Sequence, residues 1–85
     1  MPKILMYCTA VCPYCVLAER LLRARGVTEI EKIRVDLQPE LRRVMVGITG
    51  CRTVPQIYIG THLVGTYDNL VALDHSGELS QLLNN

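Results

Sequence analysis

At the stretch Cys12-Pro13-Tyr14-Cys15 the pattern of the sequence changes from an apolar run to a helical periodicity. Before it, Ile4–Tyr7 is a short apolar run typical of a buried strand. From Pro13 onward, apolar residues recur at spacings of three and four, which indicates a helix, and proline favours the first turn of a helix. The two cysteines therefore lie at a strand-to-helix junction, with Cys12 at the start of the helix and Cys15 one turn inside it.

The other elements can be followed along the chain from their periodicity and their glycine and proline boundaries. We predict a strand at 4–7, a helix from Pro13 to Gly26, a strand over Glu31–Leu37, a helix from Pro39 to Gly50, a hairpin of Gln56–Ile59 and His62–Gly65, a helix from Asp68 to Gly77, and a final helical turn over Glu78–Leu83. The order β-α-β-α-β-β-α-α makes the first two strands parallel and adds an antiparallel hairpin. The fold class is therefore α/β, a four-stranded mixed β-sheet flanked by helices, in one domain that spans residues 1–85.

The predicted core is aliphatic, since the chain has four Tyr but no Phe and no Trp. It combines residues of the sheet with one stripe from each of the first two helices. The sheet residues are Ile4, Leu5, Ile33, Val35, Ile57, Ile59, Leu63 and Val64, with Leu37 on the same side as Ile33 and Val35; the helix residues are Leu17, Ala18, Leu21, Leu22 and Ala24, then Leu41, Val44, Met45 and Ile48. At about 1.5 to 3 kcal/mol for each fully buried aliphatic side chain, this core suffices for a small domain.

The composition limits the kinds of partner. Nine Lys and Arg residues stand against eight Asp and Glu residues, so the chain lacks the basic excess that favours nucleic acid or anionic membranes. The opening apolar run is far shorter than the core of a signal peptide, about 7 to 15 residues, or a membrane span of about 20. We therefore expect a cytoplasmic protein without nucleic-acid or membrane partners. In that reducing compartment, cysteine clusters are redox-active or metal-binding more often than structural.

A C-x-x-C motif at a helix N-terminus is suited to thiol–disulfide exchange. Unpaired backbone N–H groups and the positive end of the helix dipole stabilise a thiolate at Cys12, whereas Cys15 lies deeper. Cys12 is thus the predicted nucleophile and Cys15 the resolving cysteine. A lowered thiol pKa chiefly makes Cys12 a better leaving group, because the gain in thiolate fraction is largely offset by lower intrinsic nucleophilicity.

A metal site is the alternative interpretation of the same motif. Zinc sites built from two such pairs need a second pair, and the remaining candidate ligands, Cys8, Cys51, His62 and His75, are isolated in the sequence. We therefore predict no metal. Cys8 is interpreted as a small apolar residue at the end of a strand. Cys51 is interpreted as inert or merely oxidisable, with glutathionylation or a regulatory disulfide left open.

The chain resembles the glutaredoxin family, in particular its small bacterial dithiol members. The resemblance extends over essentially all 85 residues. It is carried by the C-P-Y-C motif at 12–15, Gly26-Val27, Val35-Asp36, the run Thr49–Gly60, and Asp68-Asn69-Leu70. It implies a thioredoxin-like fold with a cis Val54–Pro55 bond, and a Val54 backbone exposed to pair strand-fashion with a bound peptide.

The resemblance also implies the activity and the ligand. The protein would be a glutathione-dependent thiol–disulfide oxidoreductase that reduces protein disulfides and glutathione mixed disulfides, with ribonucleotide reductase among the family's clients, and it would act as a monomer. The glutathione contacts would be Tyr14, Arg52, Thr53, Val54, Pro55, Asp68 and Asn69. The γ-glutamyl carboxylate would lie at the N-terminus of the third helix, where free N–H groups bind an anion.

Three positions depart from the family pattern, and all of them concern glutathione. Thr9 stands where the family usually has a lysine, three residues before the first active-site cysteine, and Arg52 is a candidate for the missing charge. Gly65-Thr66 replaces the usual Gly-Gly, and Asn69 replaces the second residue of the usual Asp-Asp. The change at position 9 predicts either weaker glutathione binding or compensation by Arg52, and Thr66 adds a side chain where the backbone approaches the ligand.

Two alternative functions stay open at this point. One is a dimer that shares a [2Fe–2S] cluster through Cys12 and glutathione; Pro13 argues against it, because relatives that bind clusters usually have a smaller residue there. The other is a redoxin reduced by thioredoxin reductase; the absence of a Trp before Cys12 argues against it.

Overall fold

A four-stranded mixed sheet forms the centre of the computed structural model, which describes residues 1–84. The strands are β1 (Ile4–Cys8), β2 (Glu31–Arg34), β3 (Gln56–Ile59) and β4 (His62–Gly65), in the order β2-β1-β3-β4 across the sheet. β1 pairs parallel with β2 and antiparallel with β3, and β3 pairs antiparallel with β4. The predicted element order and the predicted mixed sheet are confirmed. The last residue of the predicted domain, Asn85, lies outside the described residues.

Helices cover both faces of this sheet. They are α1 (Pro13–Ala24), α2 (Pro39–Thr49), α3 (Tyr67–Ser76) and α4 (Glu78–Leu83). Because side chains alternate along a strand, β1 contributes to both faces. Ile4 and Met6 pack with α1, α3 and α4, whereas Tyr7 packs with Met45 of α2 on the opposite face. Among the helices of residues 1–84, none is long and apolar enough to cross a membrane.

The larger core lies between the sheet, α1 and α3. Its most deeply buried members are Met6, Ala18, Leu22, Ile57, Leu70 and Leu79. Leu63, predicted in the core, is 38% exposed. In α1 the prediction is wrong for Leu17 and Ala24, which are exposed. The buried line of α1 begins instead at Cys15 and continues through Ala18 and Leu22, so the motif itself is part of the core-facing stripe.

β2 is shorter than the sequence predicts, because its partner strand leaves the sheet. β1 ends at Cys8, whose carbonyl accepts the last cross-strand hydrogen bond from the Val35 N–H at 3.0 Å. Beyond that point the chain turns, and the N–H groups of Leu37 and Gln38 both donate to the Arg34 carbonyl. Leu37, predicted to lie on the side of Ile33 and Val35, is 68% exposed.

The buried face of α2 is rotated by about one residue from the predicted stripe. Met45 is fully buried, but Val44 and Ile48 are 46% and 54% exposed. Val46 packs instead against the cluster of Tyr7, Val35 and Met45. The spacing of apolar residues identified the helix, but α2 lies alone on its face of the sheet, and a helix with one packing partner buries only a narrow line of side chains.

Candidate active site

Cys12 is the N-cap residue of α1. Its backbone is extended, with φ −148° and ψ 92°, and its Sγ accepts a hydrogen bond from the backbone N–H of Cys15 at 3.1 Å. A sulfur therefore satisfies one of the N–H groups that every helix leaves unpaired at its N-terminus. Pro13 follows at the first helical position, where no N–H is needed.

Cys12 and Cys15 are joined by a disulfide, and their Cα atoms are 5.2 Å apart. The two sulfurs differ in access, because Cys12 is half-buried whereas Cys15 is 5% exposed and belongs to the core. An attacking thiolate therefore reaches Cys12 first. This arrangement suits the predicted roles of outer nucleophile and inner resolving cysteine.

The loop before β3 passes next to Cys12. The Val54–Pro55 peptide bond is cis, as the family resemblance implies. The carbonyl oxygen of Val54 lies 3.8 Å from Cys12 Sγ, a contact in which the disulfide sulfur has no hydrogen to donate. Gln56 is buried, and its side-chain amide donates to the Thr53 carbonyl at 3.1 Å. The loop is thereby attached to the sheet beside the redox centre.

A groove of about 290 Å³ begins at this loop and runs to the start of α3. Its lining residues are Tyr14, Thr53, Val54, Pro55, Thr66, Tyr67 and Asp68. The structure thus brings together five of the seven residues predicted to contact glutathione. The other two, Arg52 and Asn69, are exposed but do not line the groove.

Thr66 and Tyr67 line the groove although they are absent from the predicted contacts. The rings of Tyr14 and Tyr67 are 6.0 Å apart between centroids and tilted by 32°, so Tyr67 extends the aromatic wall that Tyr14 begins. The only sequence signal was their position directly before Asp68. α3 begins at Tyr67 and not at Asp68 as predicted, so Thr66 becomes its N-cap.

Asn69 has a structural partner in Thr66. Its side-chain oxygen accepts hydrogen bonds from the Thr66 backbone N–H at 3.0 Å and from the Thr66 hydroxyl at 2.8 Å. This contact also constrains Gly65, where an added Cβ would lie 2.7 Å from that same oxygen. The family departures at 66 and 69 therefore form one unit, in which Asn69 caps the turn that leads into the groove.

Gly65→Ala is expected to lower stability more than Gly77→Ala. Both glycines have left-handed backbones, with φ +103° and +85°, so alanine costs about 1 kcal/mol at each. Only at Gly65 does the new Cβ collide with Asn69, since nothing lies within 4 Å of a Cβ at Gly77. We expect an extra loss of about 1 to 2 kcal/mol in the free energy of unfolding, measured in urea. Asn69→Ala in the same background should remove the extra loss; a difference that persists would contradict the collision.

The other two thiols differ in their surroundings. Cys8, the last residue of β1, is 4% exposed, which confirms the prediction of a small apolar residue at a strand end. Burial raises the pKa of the Cys8 thiol above its usual value, and the nearby cations Lys32 and Arg34 only partly oppose this. Cys51 is exposed in the loop before the cis bond. Within residues 1–84, no group of three or more His, Cys, Asp or Glu side chains is placed to hold a metal ion.

A larger depression, of about 510 Å³, lies at the other end of the sheet, where β1 and β2 begin. It is lined by residues 1–4 and 28–31 and contains no cysteine. Ligands of sheets with parallel strands usually bind at the carboxyl ends of the strands. The groove beside Cys12 is therefore the better candidate for the ligand site, because it lies near the carboxyl end of β1 and next to the reactive cysteine pair.

Comparison with known proteins, by sequence and by structure, leads to one family. A family model described as glutaredoxin matches residues 4–64. The glutaredoxin of Neisseria meningitidis serogroup B is 46% identical over 84 residues, 99% of each chain, and glutaredoxin 3 of Escherichia coli K12 is 37% identical over 83 residues, 98% of this chain and 99% of that one. The solution structure of the dithiolic glutaredoxin 2-C-Grx1 from Trypanosoma brucei brucei superposes with a TM-score of 0.86 at 36% identity, over 96% of this chain and 87% of that one. The fold is thioredoxin-like.

Proposed function

The chain belongs to the glutaredoxin family, and we propose that this thiol–disulfide oxidoreductase takes its electrons from glutathione and works in the cytoplasm. Membership of the family and the Cys12–Cys15 pair support the general activity, which is thiol–disulfide exchange. The observation that supports glutathione is the groove beside Cys12, which joins the cis-proline loop to the N-terminus of α3. Its protein substrates would be disulfide-bonded or glutathionylated proteins, ribonucleotide reductase among them, and the enzyme would act as a monomer.

The reaction begins with the Cys12 thiolate. It attacks one sulfur of a substrate disulfide, forms a mixed disulfide, and releases the other substrate sulfur as a thiolate that takes up a proton. Cys15 then loses its proton and attacks Cys12 Sγ. The second substrate thiol leaves, and the Cys12–Cys15 bond forms. The substrate has gained the two electrons that the enzyme pair has lost; of the two protons on its thiols, one replaces the proton lost by Cys15 and the other comes from the solvent, because Cys12 entered the reaction as a thiolate.

Two molecules of glutathione return the enzyme to its reduced state. The first attacks Cys12 Sγ, the accessible sulfur, and Cys15 leaves as a thiolate that is protonated. The second attacks the glutathione sulfur of the mixed disulfide, which releases glutathione disulfide and the Cys12 thiolate. The Cys15 N–H that donates to Cys12 Sγ stabilises this leaving thiolate, so the N-cap position accelerates the last step. For a glutathionylated substrate, Cys12 alone suffices.

The groove offers partners for the cysteinyl and γ-glutamyl residues of the tripeptide. The backbone of Val54 can pair strand-fashion with the cysteinyl residue, which places the glutathione sulfur near Cys12. The first turn of α3 attracts the γ-glutamyl carboxylate through its N–H groups and dipole. Asp68, on the groove wall, is suited to the α-ammonium group of the same residue.

Asp68→Asn is expected to raise the KM for glutathione about 10- to 150-fold, because a charge-assisted hydrogen bond of about 1.5 to 3 kcal/mol is lost. The rate of alkylation of reduced Cys12 should not change, since the substitution leaves the N-cap intact. The matched control is Asp74→Asn, on the same helix but paired with Arg25 outside the groove. Steady-state kinetics with varied glutathione measures the effect. An equal rise in both variants would argue against an ammonium contact at Asp68.

The choice of reductant tests the proposed function. The oxidised protein is incubated either with glutathione and glutathione reductase or with thioredoxin reductase, in both cases with NADPH, and the Cys12–Cys15 disulfide is followed by mass spectrometry after thiol labelling. We expect reduction by glutathione and none by thioredoxin reductase alone. Reduction by thioredoxin reductase without reduction by glutathione would overturn the proposal while leaving the oxidoreductase activity intact.

A further inference from the structure

The short loop Thr9–Val11 carries the chain from β1 to Cys12. Val11 is 89% exposed, and the Thr9 hydroxyl donates only within the loop, to the Val11 carbonyl at 3.4 Å. Within residues 1–84, one hydrogen bond joins this loop to a distant part of the chain. The backbone N–H of Ala10 donates to Oδ2 of Asp36 at 3.1 Å. The loop before Cys12 is therefore attached to a residue 26 positions further along the chain.

Asp36 is itself held in a fixed orientation. Arg34 donates from Nε to Oδ1 at 2.8 Å and from Nη2 to Oδ2 at 2.7 Å, a bidentate pairing that fixes the plane of the carboxylate. Arg34 lies in β2 opposite Cys8, the residue directly before the loop. The arginine holds the pKa of Asp36 well below its usual range, so the carboxylate is charged at neutral pH.

We propose that Asp36, oriented by Arg34, is a positioning residue for Cys12, because it fixes the Ala10 backbone and thereby the angle at which the chain joins α1. The inference rests on the thiol–disulfide exchange at Cys12, not on the identity of the reductant. It assigns a function in the redox centre to an ion pair on the surface of β2.

The reason lies in the geometry of the N-cap. Cys12 Sγ can accept the hydrogen bond from the Cys15 N–H only while Cys12 keeps its extended backbone. The influence of a helix N-terminus also falls off within the first turn, so a small displacement of the sulfur loses much of it. Ala10 is two residues before Cys12. Without its attachment, the loop would let Cys12 leave the N-cap geometry, and the thiolate fraction would fall.

Charge alone predicts a different outcome, which makes the inference testable. Removing Asp36 leaves the Arg34 cation unpaired and would favour a thiolate, whereas removing Arg34 leaves an anion and would disfavour one. Loss of positioning disfavours the thiolate in both cases. The other charged or titratable groups around the two cysteines are Glu19, Lys32 and Cys8 on one side and Tyr14, Tyr67 and Asp68 on the other. Both substitutions leave these side chains in place. The pKa of the Cys8 thiol is lowered by Arg34 and raised by Asp36, so charge alone moves it in opposite directions in the two variants.

The test is the pH profile of Cys12 alkylation in the reduced protein. Iodoacetamide rates are followed by mass spectrometry for the native protein, Asp36→Ala and Arg34→Ala. The control is Asp74→Ala, which breaks an equally bidentate pair with Arg25, at 2.6 and 2.8 Å, away from the loop. We expect both Asp36→Ala and Arg34→Ala to raise the midpoint of the profile. At one pH unit below the native midpoint, alkylation should fall about three- to tenfold in both.

Asp74→Ala should stay within about twofold of the native rate. Shifts in opposite directions for Asp36→Ala and Arg34→Ala would show that charge and not positioning controls Cys12. No shift in either variant, or an equal fall in Asp74→Ala, would also overturn the proposal. Because the assay contains no glutathione, its outcome is separate from the choice of reductant.

Discussion

Cys12→Ser is expected to abolish reduction of both protein disulfides and glutathionylated substrates, whereas Cys15→Ser should keep the second activity. Reduction of either kind of substrate begins with attack by Cys12, and serine is not a nucleophile toward disulfides at neutral pH. Cys15 is needed only to resolve a mixed disulfide with a protein. Rates with a disulfide-bonded protein and with a glutathionylated peptide should fall at least about 10³-fold in Cys12→Ser.

The surface and strand thiols provide the controls. Cys51→Ser should leave both rates unchanged, since Cys51 is exposed and does not line the groove. Cys8→Ala should leave deglutathionylation unchanged, because burial keeps the Cys8 thiol protonated. Equal loss of both activities in Cys12→Ser and Cys15→Ser would contradict the division of labour between the outer and the inner sulfur.

Leu22→Ala is expected to lower the free energy of unfolding by about 2 to 5 kcal/mol, the largest stability effect that we predict. Leu22 is completely buried between α1 and the sheet, in the same line as Cys15 and Ala18. Alanine would leave a cavity between α1 and the sheet, about two helical turns beyond Cys15. Unfolding in urea, followed by circular dichroism on the oxidised protein, measures the loss.

Val44→Ala is the matched control. Val44 is an aliphatic residue of α2 that the sequence places in the core, but the structure leaves it 46% exposed. Its truncation should change stability by no more than about 0.5 kcal/mol. A loss as large as that of Leu22→Ala would mean that α2 is rotated to the predicted stripe. If Leu22→Ala does not fold, Ile57→Val, with an expected loss of about 0.5 to 1.5 kcal/mol, tests the same core.

The sequence predicts the fold where the signals are local. Pro13 and Gly26 bound the first helix, and Pro39 and Gly50 bound the second, as expected from their conformational preferences. The antiparallel pairing of β3 with β4 follows from the predicted hairpin. The orientation of α2 could not be predicted in this way. The spacing of Leu41, Val44, Met45 and Ile48 indicates a helix, but it does not say which of these residues face the sheet.

The candidate site likewise contains residues that the sequence predicts and residues that only the tertiary structure reveals. The cysteine pair and the cis-proline loop are continuous motifs, so their positions could be read from the sequence. Thr66 and Tyr67 line the groove because the tertiary fold places the start of α3 beside the loop, which local sequence patterns do not predict. The Asp36–Ala10 contact joins two segments that no periodicity relates, and the side-chain oxygen of Asn69 turned out to be occupied by Thr66.

The cysteine to which glutathione attaches tests the assignment of Cys12 most directly. A Cys15→Ser protein, which cannot close the internal disulfide, is incubated with glutathione disulfide and examined by intact-mass and peptide mass spectrometry. We predict one glutathionyl group per chain, on Cys12, released again by reduced glutathione. A glutathionyl group on Cys51 or Cys8 with Cys12 unmodified, or no adduct at all, would contradict the assignment of Cys12 as the glutathione-exchanging nucleophile.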